Sequence, residues 1–166
     1  MTNMMKRLGE RYREALQRHR NLPFLKATMS AAALVAMSNG RVSFAQRVRT
    51  DQVLETLDEL KVFDPHEGVE LFNDIIAHIQ ASPKEGRALA IRNIDTAAQD
   101  EDTKRMILRI CMAISEVGGQ ISRVEQIEIV SLCSHLELDP KGCGLYVDEL
   151  PPEKTPAPQQ DDLGQA

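Results

Sequence analysis

The segment Met37-Ser-Asn-Gly-Arg-Val-Ser-Phe-Ala-Gln46 returns, in pattern, as Glu116-Val-Gly-Gly-Gln-Ile-Ser-Arg-Val-Glu125, and this repetition constrains the fold more than any other feature of the chain. In both copies an apolar run, Ala33 to Met37 or Ile110 to Ile114, ends near a glycine, Gly40 or Gly119. A β-branched residue follows, Val42 or Ile121, and then Ser43-x-x-Gln46 or Ser122-x-x-Glu125. A glycine supplies the left-handed conformation that closes a helix. Ser-x-x-Gln/Glu is a capping box, in which serine and Gln/Glu side chains satisfy backbone N–H groups at the next helix start. Each copy therefore reads as helix, tight link, helix, with Val42 and Ile121 stapled into the core. Matched punctuation implies matched geometry, so a site built from Asn39, Gly40, Ser43, Gln46, Gly119 and Ser122 is expected to be quasi-symmetric.

The rest of the chain repeats helical period. Residues 4–20 place Met4, Met5, Leu8, Tyr12 and Leu16 at helical spacing among Lys6, Arg7, Arg11, Arg13, Arg18 and Arg20. Pro23 is expected to separate this basic amphipathic helix from an Ala-rich one over 24–37, apolar nearly all round and so central to the core. A helix from Phe44 to Leu60 should turn Val48, Val53, Leu54, Leu57 and Leu60 inward. Asp64-Pro65-His66-Glu67 and Ser82-Pro83-Lys84-Glu85 are start signals for two more helices, and Asp100-Glu101-Asp102 complements the dipole of the next. The helix after Ser122 should use Val124, Ile127, Val130, Leu132, Cys133 and Leu136, and Asp139-Pro140 opens a short last one to Leu150. No segment alternates as a strand does. The expected fold is all-α, a compact bundle of seven to eight helices in two related halves. Three parts follow: a basic amphipathic helix over 1–20, a helical domain over 21–150, and a disordered Pro-rich tail over 151–166.

A chain of 166 residues can bury a core without metals or disulfides. No apolar run approaches the length of a membrane span, no signal peptide is apparent, and the odd, scattered cysteines Cys111, Cys133 and Cys143 suit a cytoplasmic protein. The net charge of −5 hides an asymmetry, for residues 1–49 carry ten Lys or Arg against Glu10 and Glu14 while the remainder carries ten against twenty-three acids. A basic head of this kind either attracts nucleic acid, an anionic membrane surface or an acidic partner, with Lys6, Arg7, Arg11 and Arg13 as the contact residues, or complements the acidic remainder of its own or a second copy.

Little in the sequence points to catalysis. His19, His66, His78 and His135 form no ligand pair, and Gly118-Gly119 follows no strand, so no phosphate cradle or nucleophile elbow is present. Asn39-Gly40-Arg41-Val42-Ser43 with Gln46 looks like the second half of an EF-hand loop, without the leading acids that Ca²⁺ needs. The turns are therefore read as capped rather than metal-filled. Should a divalent cation bind weakly, Glu116, Glu125 and Glu128 at the second turn are the candidate ligands. No other cofactor is expected.

With both turns in hand, the chain resembles the TerB-like family of tellurite-resistance proteins. The resemblance rests on the Ala-rich helix running into Ala36-Met37-Ser38-Asn39-Gly40-Arg41-Val42, on Leu71-Phe72, on Cys111-Met112-Ala113 leading to Gly118-Gly119-Gln120-Ile121 with Glu125, and on Leu136-Glu137-Leu138-Asp139-Pro140. It covers roughly residues 20–148. It implies a two-half helical bundle with an acidic metal-binding surface, an Asp before each glycine and a Glu after it. Those positions fall here on Asn39, Gly118, Gln46 and Glu125, so one acid of the four stands. It also implies a place in bacterial tellurite, metal or envelope stress resistance, on the cytoplasmic side of the inner membrane. The expected role is a non-enzymatic interaction protein. Protein partners, including a membrane-associated stress complex, and an anionic membrane surface are the expected contacts; nucleic acid and a small-molecule substrate are not. The alternatives are a divalent-metal sensor using Glu116, Glu125 and Glu128, or a membrane-surface adaptor using the basic helix.

Overall fold

The computed structural model describes residues 2–143 and is all-α: six α-helices joined by short links, with two 3-10 turns and no strand among those residues. They are α1 (Thr2–Ala36), α2 (Phe44–Thr56), α3 (Pro65–Ala81), α4 (Pro83–Ala97), α5 (Glu101–Ser115) and α6 (Arg123–His135), with the 3-10 turns at Met37–Asn39 and Pro140–Cys143. The last helix expected to reach Leu150, the tail over 151–166, and the side chains of Leu16, Arg18 and Arg20 lie outside the described residues.

The first two expected helices are one. Pro23 sits inside α1, where it cannot bond to the carbonyl four residues back, at a cost of about 3 kcal/mol. Burial overrides that cost. Leu25, Met29, Leu34, Val35 and the alanines 27, 31, 32, 33 and 36 are all buried, and each large aliphatic side chain removed from water contributes roughly 1.5–3 kcal/mol. This half of α1 is the centre of the bundle, packed on α3, α4, α5 and α6. Its two buried polar side chains are satisfied: Thr28 Oγ1 donates to the carbonyl of Leu25 at 2.9 Å, and Ser30 Oγ accepts from Asn93 Nδ2 of α4 at 3.0 Å.

The start signals work as local chemistry dictates. Asp64 accepts from the His66 N–H at 3.0 Å ahead of Pro65, and Asp100 accepts from both the N–H and the hydroxyl of Thr103. Those bonds from Thr103 hold the Asp100 carboxyl below its ordinary range. Ser82 differs, because it both ends α3, donating its N–H to His78, and begins α4, and its hydroxyl caps nothing. A one-residue link folds α4 back hard on α3, and Gly86 lies against the backbone of Ile79.

Helix α2 stops at Thr56, short of Leu60, because Leu57 turns extended; two following turns still carry Leu60 and Phe63 into the core. The end of α6 is a Schellman motif: Glu137 adopts φ 58°, its N–H bonds to Ser134, and the N–H of buried Leu138 bonds to Cys133.

Candidate functional site

Both capping boxes form. Ser43 Oγ accepts from the Gln46 N–H at 3.2 Å while Gln46 Oε1 accepts from the Ser43 N–H at 2.9 Å. Ser122 Oγ accepts from the Glu125 N–H at 3.3 Å while Glu125 Oε2 accepts from the Ser122 N–H at 3.1 Å. The entries to the boxes are not matched, which corrects the expected symmetry. Gly40, at φ 84°, closes the 3-10 turn by donating to Met37. Gly119 closes no helix: α5 has already ended at Ser115, and Gly118 and Gly119, at φ 63° and 78°, are the two central residues of a tight turn in which Val117 and Gln120 exchange backbone hydrogen bonds. Positive φ at both central positions suits consecutive glycines.

The boxes bring their third helical residues together. Gln46 and Glu125 are 6% and 4% exposed, and Gln46 Nε2 donates to Glu125 Oε1 across the junction of the two halves. The amide's orientation is dictated locally, since its oxygen is committed to the Ser43 N–H and only its nitrogen can face the carboxylate. Behind each, the buried residues of the helix run in step: Gln46, Thr50, Val53 and Leu54 in α2, and Glu125, Ile129, Leu132 and Cys133 in α6, every pair 79 residues apart as in the hydrogen-bonded one. The duplication therefore persists in which face each helix buries. That phase moves Val48, Val124 and Ile127 from the inward positions expected of them to exposed ones.

A cavity of about 540 Å³ opens over the pair, lined by Asn39, Arg41, Ser43, Gln120, Ser122 and their neighbours. Asn39 Nδ2 reaches Ser122 Oγ at 3.4 Å, a second polar contact between the turns. Phe44, Val48 and Val117, all exposed, line a shallow depression of about 390 Å³ that shares Val117 with the cavity; Val124 and Ile127 of α6 are also exposed. Sequence reading missed this apolar surface.

The proposed cation ligands are not brought together. Glu125 is occupied by Gln46 and Ser122, Glu128 pairs with Arg87 of α4, and Glu116 is exposed where α5 ends. Among the described residues no three His, Cys, Asp or Glu side chains lie close enough to hold a metal ion. Two helix starts, Arg41 and an amide nitrogen directed at the carboxylate all oppose a cation here, so these residues do not fit the metal that the resemblance implies. Burial, reinforced by the nearby Glu128, Cys133 and Glu125, pushes the Cys111 thiol far above its ordinary range. A thiolate nucleophile is therefore disfavoured at that position.

Ser43→Ala and Ser122→Ala are each expected to cost about 0.5–2 kcal/mol in urea unfolding. The second should cost more, because the Ser122 hydroxyl also donates to Glu125 at 2.7 Å. Ca²⁺, Mg²⁺ or Zn²⁺ should leave the melting temperature unmoved. A rise of several degrees in Ca²⁺ that Glu125→Gln abolishes would show a filled cation site.

Over 93 residues, 56% of this chain and 76% of the relative, the sequence is 25% identical to the tellurium resistance protein TerB of an Alcaligenes species. No family model matches the chain, and no solved structure matches it.

Proposed function

We propose that this chain is a non-enzymatic, cytoplasmic interaction protein related to TerB, acting in bacterial resistance to tellurium or an allied metal or envelope stress. The observation that carries the binding role is the surface around the two turns, where a polar cavity built on the Gln46–Glu125 contact adjoins exposed Phe44, Val48 and Val117. Apolar groups left in water beside a few fixed polar ones are the composition of a protein contact surface. The cavity lining offers hydroxyls, amides, one guanidinium and one carboxylate, with no histidine or cysteine among them. That set suits hydrogen bonding to a partner. The link to tellurium rests on the similarity to TerB.

The test is a strain lacking the gene, grown with and without tellurite. The deletion should raise tellurite sensitivity, and the wild-type chain should restore resistance. A Phe44→Asp, Val117→Asp double variant should not restore it, although both side chains are exposed and their replacement should change stability by no more than about 0.5 kcal/mol each. Unchanged growth of the deletion strain under tellurite would refute the tellurium assignment. Full rescue by the double variant would refute the contact surface.

A further inference from the structure

We propose that the N-terminal half of α1 is a reversible anchor that lies flat on an anionic lipid bilayer. Among the residues of α1 whose side chains are described, 2–13 and 22–36, the first found packed on the core is Leu22; the helix before it spans about 30 Å at 1.5 Å per residue. Along its first part nothing covers the apolar side chains: Met4, Met5, Leu8 and Tyr12 are 73%, 76%, 63% and 67% exposed. Their placement is ordered. At about 100° per residue these four fall within roughly one 100° sector, with Arg11 and Arg7 close beyond one edge, Arg13 and Lys6 further round beyond the other, and Glu10 opposite. An apolar sector bordered closely by arginines on one side, with long basic side chains further round on the other whose stems can reach to headgroup phosphates, suits a helix seated in the plane of a membrane interface. Among the described residues no helix is long and apolar enough to cross a membrane, so the contact is a surface one.

Charge selects this occupant over the others. Among the described residues no ion pair joins the arm to the acidic body of its own chain, and Arg13 donates only to the Gly9 carbonyl within the arm. Two arms pairing through their apolar sectors would bring their flanking cations together. An anionic bilayer meets the apolar sector with acyl chains and the cations around it with phosphates. The inference stands apart from the tellurium reading, because it is scored on purified protein.

The experiment is co-sedimentation of the full chain with phosphatidylglycerol/phosphatidylcholine vesicles and with phosphatidylcholine alone, alongside sedimentation equilibrium without lipid. Binding is expected only to the anionic vesicles at low salt and should be lost near 1 M salt, where screening shortens to about 3 Å. Met5→Asp with Leu8→Asp should weaken binding by more than about tenfold, and so should the combined Lys6→Glu, Arg7→Glu, Arg11→Glu and Arg13→Glu, which removes the attraction to the anionic surface. Circular dichroism melts check that both variants stay folded, which the exposure of every substituted side chain favours. No sedimentation with anionic vesicles at low salt overturns the proposal. So does equal binding to neutral vesicles, or a lipid-free dimer that Leu8→Asp dissociates while vesicle binding is absent.

Discussion

Gln46→Glu is expected to destabilise the protein by about 3 kcal/mol at neutral pH, the usual scale for leaving a buried charge uncompensated. For a chain of this size that lowers the melting temperature by roughly 6–12 °C. The substitution keeps the volume and the bond from the Ser43 N–H. It replaces the one group that donates to the Glu125 carboxylate across the junction with a second carboxylate, at a position only 6% exposed. Like charges at that separation force one of the two to hold a proton, so its folded-state value rises above the ordinary ~4.3. A carboxyl raised on folding supports the native state only while protonated. The variant should therefore match the wild type below about pH 4 and fall behind as pH climbs through the raised value. Millimolar Ca²⁺ should return part of the loss, because two facing carboxylates are a beginning of the cation site that the native pair excludes. Thermal melts from acid to neutral pH, with and without Ca²⁺, measure all of this. A variant as stable as wild type at neutral pH in chelator would contradict the donor–acceptor pairing.

Gly86→Ala should lower stability by about 2–3 kcal/mol, against the ordinary rule that alanine in place of a helical glycine gains up to ~1 kcal/mol. A Cβ at residue 86 would lie 2.5 Å from both the Cα and the N of Ile79 and 2.8 Å from the carbonyl carbon of His78. These are backbone atoms, so no rotamer change relieves the clash and α3 must move away from α4. The expected fall in melting temperature is roughly 4–12 °C. Gly9→Ala is the matched control, since nothing lies within 4 Å of a Cβ there and helicity should hold or rise. Equal melting temperatures for Gly86→Ala and wild type would mean that the two helices pack with slack.

What the sequence made legible was what short-range chemistry decides. Ser43, Asp64, Asp100 and Ser122 announce helix starts because their partners lie two or three residues on. Tertiary packing decided the rest. Pro23 was read as a break because the burial of residues 25–36, which outweighs it, is not a local property. Val48, Val124 and Ile127 were turned inward because amphipathic phase was taken from apolar residues alone, whereas a buried amide and a buried carboxylate set it. The repeat itself held the missing signal: aligning Gln46 with Glu125 puts Thr50, Val53 and Leu54 in register with Ile129, Leu132 and Cys133. The grouping of Glu128 with Glu125 failed because Arg87, which claims Glu128, comes from α4.

The hydrogen bond between Gln46 and Glu125 also bears on why two copies in one polypeptide differ from two identical subunits. Where twin subunits meet about a two-fold axis, whatever residue stands nearest the axis faces itself. Glutamate would then meet glutamate and need a counter-ion or a shared proton, and glutamine would meet glutamine. A donor facing a charged acceptor is unavailable to such a pair, because it requires that the twins differ. Once both halves are carried on a single chain, each can drift alone, and the contact at their seam can become self-sufficient without any bound ion.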